Sequence, residues 1–72
     1  MLKGETFAQN LRAERARHKL SRIELSNKSG VNASTIEKLE NGRQNELNTT
    51  LGTISDLAQA LNIEPQKLVG WE

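Results

Sequence analysis

The chain of 72 residues contains no cysteine and no tyrosine, and only one histidine, His18. Without cysteine there is neither a disulfide framework nor a thiol nucleophile, and one histidine does not supply the clustered ligands of a structural zinc site. Apolar stretches run for only a few residues, so no segment can span a membrane, and no charged segment leads into the apolar run of a secretory signal. These absences lead us to expect a cytoplasmic protein with no metal and no cofactor. Catalysis is equally poorly served. No nucleophile, base and orienting group converge, and there is no glycine-rich phosphate loop, so we expect no enzyme, no catalytic residue and no small-molecule ligand. A chain this short buries only about 60% of the surface it exposes when unfolded. We therefore read residues 1–72 as a single domain with a local core held by packing alone.

What is present is unevenly distributed. The formal net charge is only +1, but residues 1–44 carry nine Lys or Arg against five Glu, a net of +4. Residues 45–72 carry Lys67 alone against Glu46, Asp56, Glu64 and Glu72, a net of −3. An ordinary solvated surface and a phosphate-binding face are both compatible with this asymmetry, because clustering along the chain is not clustering in space.

The rest of the pattern is helical. Ser21-Arg22-Ile23-Glu24 is a capping box, in which the Ser21 hydroxyl and the Glu24 carboxylate satisfy each other's orphan amides. Leu20 and Leu25 have the spacing of a hydrophobic staple, and Gly30 can take the left-handed conformation that ends a helix of about two turns. The same grammar restarts at once: Val31 precedes a cap at Asn32, and a helix carrying Ile36 and Leu39 on its inner side runs to Asn41-Gly42. Upstream, Thr6-Phe7-Ala8-Gln9 reads as a second capping box, opening a long first helix with Phe7, Ala8, Leu11 and the stem of Arg15 as one stripe. Downstream, Thr49 or Thr50 caps a fourth helix with Leu51, Ile54, Leu57, Ala58 and Leu61 at helical spacing. Pro65 suits the first position of a short fifth helix bearing Leu68 and Val69, with Trp71 just beyond. No run alternates with the period of a strand, and there is no internal repeat. The expected fold is all-α, a compact arrangement of five helices with a tight helix-turn-helix at about 21–41.

Leu25-Ser26, Gly30-Val31, Ser34-Thr35-Ile36 and Leu39-Glu40-Asn41-Gly42 together resemble the phage-repressor and Cro type (XRE-like) of helix-turn-helix DNA-binding family, over nearly the whole chain. The resemblance implies a lambda-repressor-like domain and a transcriptional regulator of repressor type. It also implies a homodimer on a palindromic operator in double-stranded DNA. By the same resemblance, Glu40 pairs with Arg15 and Asn41 contacts a phosphate. Two features depart from the family pattern. Ser29 stands where an apolar residue is common, and its hydroxyl needs a partner such as a backbone carbonyl one turn back. The connection from Gly42 to Leu51 is also about three residues longer than usual.

In such a domain the second helix of the motif, Asn32 to Glu40, enters the major groove and the first lies across the backbone. Ala33, Ser34, Glu37 and Lys38 occupy the face opposite Ile36 and Leu39, which makes them the candidate base contacts, with Lys38 the best reader. Arg22, Asn32, Thr35, Asn41 and Arg43 are the candidate phosphate contacts, and they would fix register rather than sequence. Each has a structural explanation as well. Ser21 and Asn32 are caps in any helical protein, and the cations near His18 suit the carbonyl-rich end of the first helix. Leu68, Val69 and Trp71 are candidates for sealing a dimer, and Trp71 serves equally well as a lid on a small core. The competing function is an antitoxin or protein-interaction regulator acting mainly through its C-terminal surface, which an exposed apolar patch at Ile23, Val69 and Trp71 would favour.

Overall fold

The computed structural model describes residues 4–41 and 49–70. They form five helices in the order α1 (Gly4–Arg17), α2 (Arg22–Ser29), α3 (Ala33–Asn41), α4 (Leu51–Ala60) and α5 (Pro65–Val69). Helix α1 packs on α3 and α5, α2 packs on α3 and α4, and α4 packs on α5. All five enclose one core, whose largest fully buried apolar side chains are Phe7, Leu11, Leu25, Ile36, Leu57, Leu61 and Leu68. Each such side chain contributes about 1.5–3 kcal/mol on leaving water.

Helix α1 begins two residues before the expected cap. Thr6 lies inside its first turn, where the acidic Glu5 complements the positive end of the helix. The Thr6 methyl group packs toward Gly70 instead of its hydroxyl capping the helix: a Cβ on Gly70 would stand 2.8 Å from Thr6 Cγ2. Phe7, Ala8 and Leu11 form the buried stripe. From the same helix, Asn10 Nδ2 donates to the Leu68 carbonyl at 2.9 Å and so ties α1 to the end of α5. Helix α1 closes with Lys19 in the left-handed region (φ 56°). Leu20 N–H donates to the Arg15 carbonyl and Lys19 N–H to that of Ala16, the paired bonds that satisfy a helix end.

The capping box at α2 is complete. Ser21 Oγ accepts from Glu24 N–H at 3.0 Å, and Ser21 N–H donates to Glu24 Oε1 at 2.8 Å. Gly30 ends α2 at φ 78°, ψ 4°, its N–H donating to the Ser26 carbonyl. Ser29 finds a different partner from the expected carbonyl: its hydroxyl oxygen accepts from Val31 N–H at 3.1 Å. The hydroxyl thereby fastens the turn that an apolar side chain could only fill.

Thr50 caps α4, accepting from Thr53 N–H at 3.1 Å. Ile54, Leu57, Ala58 and Leu61 are buried as expected, but Leu51 is 81% exposed. It occupies the first helical position, and helical side chains lean toward the N-terminus, so it points past the end of the packed surface. Pro65 opens α5 as expected. Leu68 and Val69 are 0% and 8% exposed within this one chain, so the expectation that they seal a dimer is corrected: both are consumed by the core. Trp71 and Arg43 lie outside the described residues.

Two glycines separate strain from space. An added methyl at Gly30 meets nothing within 4 Å, whereas at Gly70 it meets Thr6, and both have positive φ. Gly30→Ala should cost about 1 kcal/mol, from the left-handed backbone alone. Gly70→Ala should cost more, and Thr6→Ser, which deletes the obstructing methyl, should recover the excess in denaturant melts of the double variant.

The cap also carries a pH signature. The hydrogen bond from the Ser21 amide, and then the one involving its hydroxyl, hold the Glu24 carboxyl below the usual glutamate range. Because the folded-state value is depressed, its stabilisation is full at neutral pH and is lost as pH falls through the folded-state value. Thermal melts of wild type and Glu24→Gln should therefore differ at neutral pH and converge in acid.

Candidate nucleic-acid interface

The geometry of α3 follows from what anchors its inner face. Ile36 is fully buried, Leu39 packs against the core and Glu40 is 1% exposed. The opposite face is therefore presented to solvent, with Ser34, Glu37 and Lys38 set outward and Ala33 beside them at the start of the helix. Asn32, just ahead of the helix, is exposed, and its Oδ1 accepts from both the amide and the hydroxyl of Ser34 at 3.4 Å. Bonds that long are weak and easily exchanged for a ligand. Thr35 lies on the flank, and Asn41 is exposed at the end of the helix.

Behind this face lies a charge cluster centred on the buried Glu40 carboxylate. The Arg15 guanidinium straddles the Glu40 carboxylate, with Nε on Oε2 at 2.7 Å and Nη2 on Oε1 at 3.1 Å. Its remaining terminal nitrogen, Nη1, donates to the Leu20 carbonyl at 2.9 Å. A second arginine shares the same carboxylate: Arg22 Nε donates to Glu40 Oε1 at 3.0 Å. One carboxylate thus joins α1, the first residue of α2 and the inner side of α3. Two-point arginine contacts of this kind fix orientation as well as adding energy.

Sequence reasoning assigned Arg22 to phosphate only and missed its bond to Glu40. The available signal was weak, because Arg22 and Glu40 are 18 positions apart and only the crossing of α2 with α3 brings them together. Elsewhere, a groove of about 780 Å³ runs between the end of α1 and the α4–α5 turn, lined in part by Arg17, Gln59, Asn62 and Lys67. It is open to solvent, and no described residue of α3 lines it.

The cluster should dominate mutational stability. Removing one partner of a buried pair strands a charge and costs about 3–5 kcal/mol, a large part of what so small a domain has. Glu40→Ala should therefore be the most damaging change. Arg15→Ala should follow, and Arg22→Ala should cost clearly less, because its side chain is 41% exposed and makes one bond to Glu40. Urea midpoints of the three variants test this ranking, and an Arg22→Ala as damaging as Arg15→Ala would contradict it.

The arrangement has clear relatives. A family model described as helix-turn-helix matches residues 11–68. The HTH-type transcriptional regulator y4dL of Sinorhizobium fredii is 39% identical over 71 residues, which takes in 93% of this chain and 35% of the relative. The HTH-type transcriptional repressor RghR of Bacillus subtilis is 38% identical over 65 residues, 90% of this chain and 47% of the relative. The chain thus spans between about a third and a half of the length of these curated relatives. Among solved structures, the restriction-modification controller protein C.AhdI from Aeromonas hydrophila matches with a TM-score of 0.78 at 35% identity, covering 90% of this chain and 94% of that one. With the family model spanning both helices of the motif and most of the core around them, the chain belongs to the helix-turn-helix family of phage-repressor and Cro type.

Proposed function

We propose that the protein is a sequence-specific double-stranded DNA-binding transcriptional regulator of repressor type, acting as a homodimer on a palindromic operator. The observation that carries this reading is α3 itself: a short helix locked from behind by Ile36 and Glu40, with Ser34, Glu37 and Lys38 turned to solvent. A helix so fixed fits a major groove about 12 Å wide. In this reading Lys38 donates to guanine O6 and N7, Ser34 bonds a neighbouring base and Ala33 touches a thymine methyl. Glu37 accepts from a cytosine amino group or repels misplaced phosphates. Arg22, Asn32, Thr35, Asn41 and Arg43 hold the backbone and set the register.

Size supports the need for two copies. The Cα extents of the protomer are 29 × 24 × 21 Å, less than the roughly 34 Å between successive major-groove faces on one side of the duplex. One copy therefore reads one half-site. The relatives bearing regulator, repressor and controller names support regulation of transcription as the outcome of binding. Of the apolar patch that a regulator acting through its C-terminal surface would use, Val69 is in the core, Ile23 is exposed and Trp71 lies outside the described residues.

Selection of duplexes from a random pool tests the reading. The expected result is a palindrome with half-sites one helical turn apart. Lys38→Ala should relax preference at one base pair per half-site, and Asn41→Ala should weaken all sequences alike. If each protomer neutralises about three phosphates, log affinity of the dimer should fall against log salt with a slope of about −5. No enriched sequence, together with a flat salt dependence, would sink the proposal.

A further inference from the structure

The Glu40 cluster holds two guanidinium groups and one carboxylate, so it retains one uncompensated positive charge. The two arginines do not share that excess equally. Arg15 is the more enclosed, 22% exposed, and spends all three nitrogens on Glu40 and the Leu20 carbonyl. Arg22 spends only Nε, and its side chain is 41% exposed. Among the described residues, neither of its terminal nitrogens has a protein acceptor. The outer edge of this guanidinium is therefore the part of the cluster available to a ligand.

Resting on the DNA-binding reading above, we propose that Glu40 is a positioning residue for DNA. By holding Arg22 at Nε, it aims the paired terminal nitrogens outward as a fixed two-point clamp for one backbone phosphate at the start of α2. A guanidinium has donors on three sides, so it can bond a carboxylate through Nε and a phosphate through its far edge at the same time. Held in place, it also loses less side-chain freedom on binding than a free arginine would. The buried carboxylate thus does two things: it locks α3 to α1 through Arg15, and it presets a phosphate contact through Arg22.

The proposal makes a prediction opposite in sign to simple electrostatics. Glu40→Gln removes a negative charge, and on charge alone it should tighten DNA binding and steepen the salt dependence. If Glu40 positions Arg22, the same change should weaken binding to every duplex alike. It should also reduce the slope of log affinity against log salt by up to about 0.9 for each phosphate that Arg22 no longer neutralises. Arg22→Ala should give the same loss, and the double variant should bind no worse than the weaker single one.

Arg22→Lys covers the case in which Glu40→Gln fails to fold. It keeps the charge and leaves the Arg15–Glu40 pair intact, but its three donors radiate from one nitrogen, so it cannot be held by Glu40 through one atom while a separate, fixed pair of nitrogens faces a phosphate. Its affinity should fall toward that of Arg22→Ala. The measurement is fluorescence anisotropy of the pool-selected duplex and of an unrelated duplex over a range of salt, with folding of each variant checked by circular dichroism. Binding by Arg22→Lys equal to wild type, or tighter binding by a folded Glu40→Gln, would overturn the positioning role. Failure of the wild type to bind any duplex would instead overturn the DNA-binding reading itself.

Discussion

The burial of the Glu40 carboxylate is the constraint around which the rest of the domain is organised. An ionised carboxylate with no exposure costs several kcal/mol to bring in from water, and only well-placed charged donors offset this. Arg15 and Arg22 provide them from the end of α1 and the start of α2, so those ends must meet behind α3. An apolar residue at position 40 would pack against many neighbours in many orientations. A carboxylate gripped at both oxygens accepts few, and that restriction fixes the angle at which α3 leaves the body of the protein.

The turn between α2 and α3 works with that restraint. Only Gly30, Val31 and Asn32 separate the two helices. Gly30 supplies the reversal by adopting a left-handed backbone, Ser29 Oγ holds the Val31 amide, and the Val31 side chain is buried. A joint this short transmits position. If α2 is placed by its cap and by Leu25, and α3 by Ile36 and Glu40, the connection leaves almost no freedom for the outward face to rotate. A rigid reading face is what discrimination between base edges needs, since hydrogen-bond readout degrades with small misplacements.

Much of this was legible in the sequence because it is local chemistry. The Ser21 box, the Gly30 stop, the Thr50 cap and the Pro65 start depend on residues within one turn of each other, and the structure places them where the grammar does. The errors arise where distant segments meet. Thr6 looked like a cap, but Gly70 arrives from the far end of the chain to receive its methyl group. Leu68 and Val69 looked available to a partner, but α1 and α4 cover them, and no spacing within α5 could reveal that. Leu51 fitted the apolar period and failed because position along a helix matters as well as face. Arg22 was legible as a cation at the start of a helix, but its bond to Glu40 belongs to the crossing of two helices. Ser29 was legible as a problem needing a partner, while the partner proved to be an amide two residues on.

The same cluster changes how the charge of the basic half should be read. Nine cations in residues 1–44 suggest a strong phosphate-binding surface. One of them, Arg15, is spent on Glu40, and Arg17 lies 3.5 Å from Glu14, which moderates its field. Of the remainder, Lys3 and Arg43 lie outside the described residues, Arg12 and Lys19 are exposed on or just beyond α1, Lys28 lies near the end of α2, and Lys38 alone belongs to the outward face of α3. Among the described residues, the cation count therefore overstates the electrostatic pull at the outward face of α3, which itself carries one lysine, Lys38, beside the acidic Glu37. With one lysine on the outward face of α3, a single copy on the proposed operator would bind weakly, because the sequence-independent part of affinity scales with the counterions released. Pairing two copies on one duplex makes the second binding event intramolecular and restores affinity without new charge. On this reading, two-fold assembly compensates for a sparse surface, and selectivity falls to the geometry that Glu40 imposes rather than to the amount of positive charge.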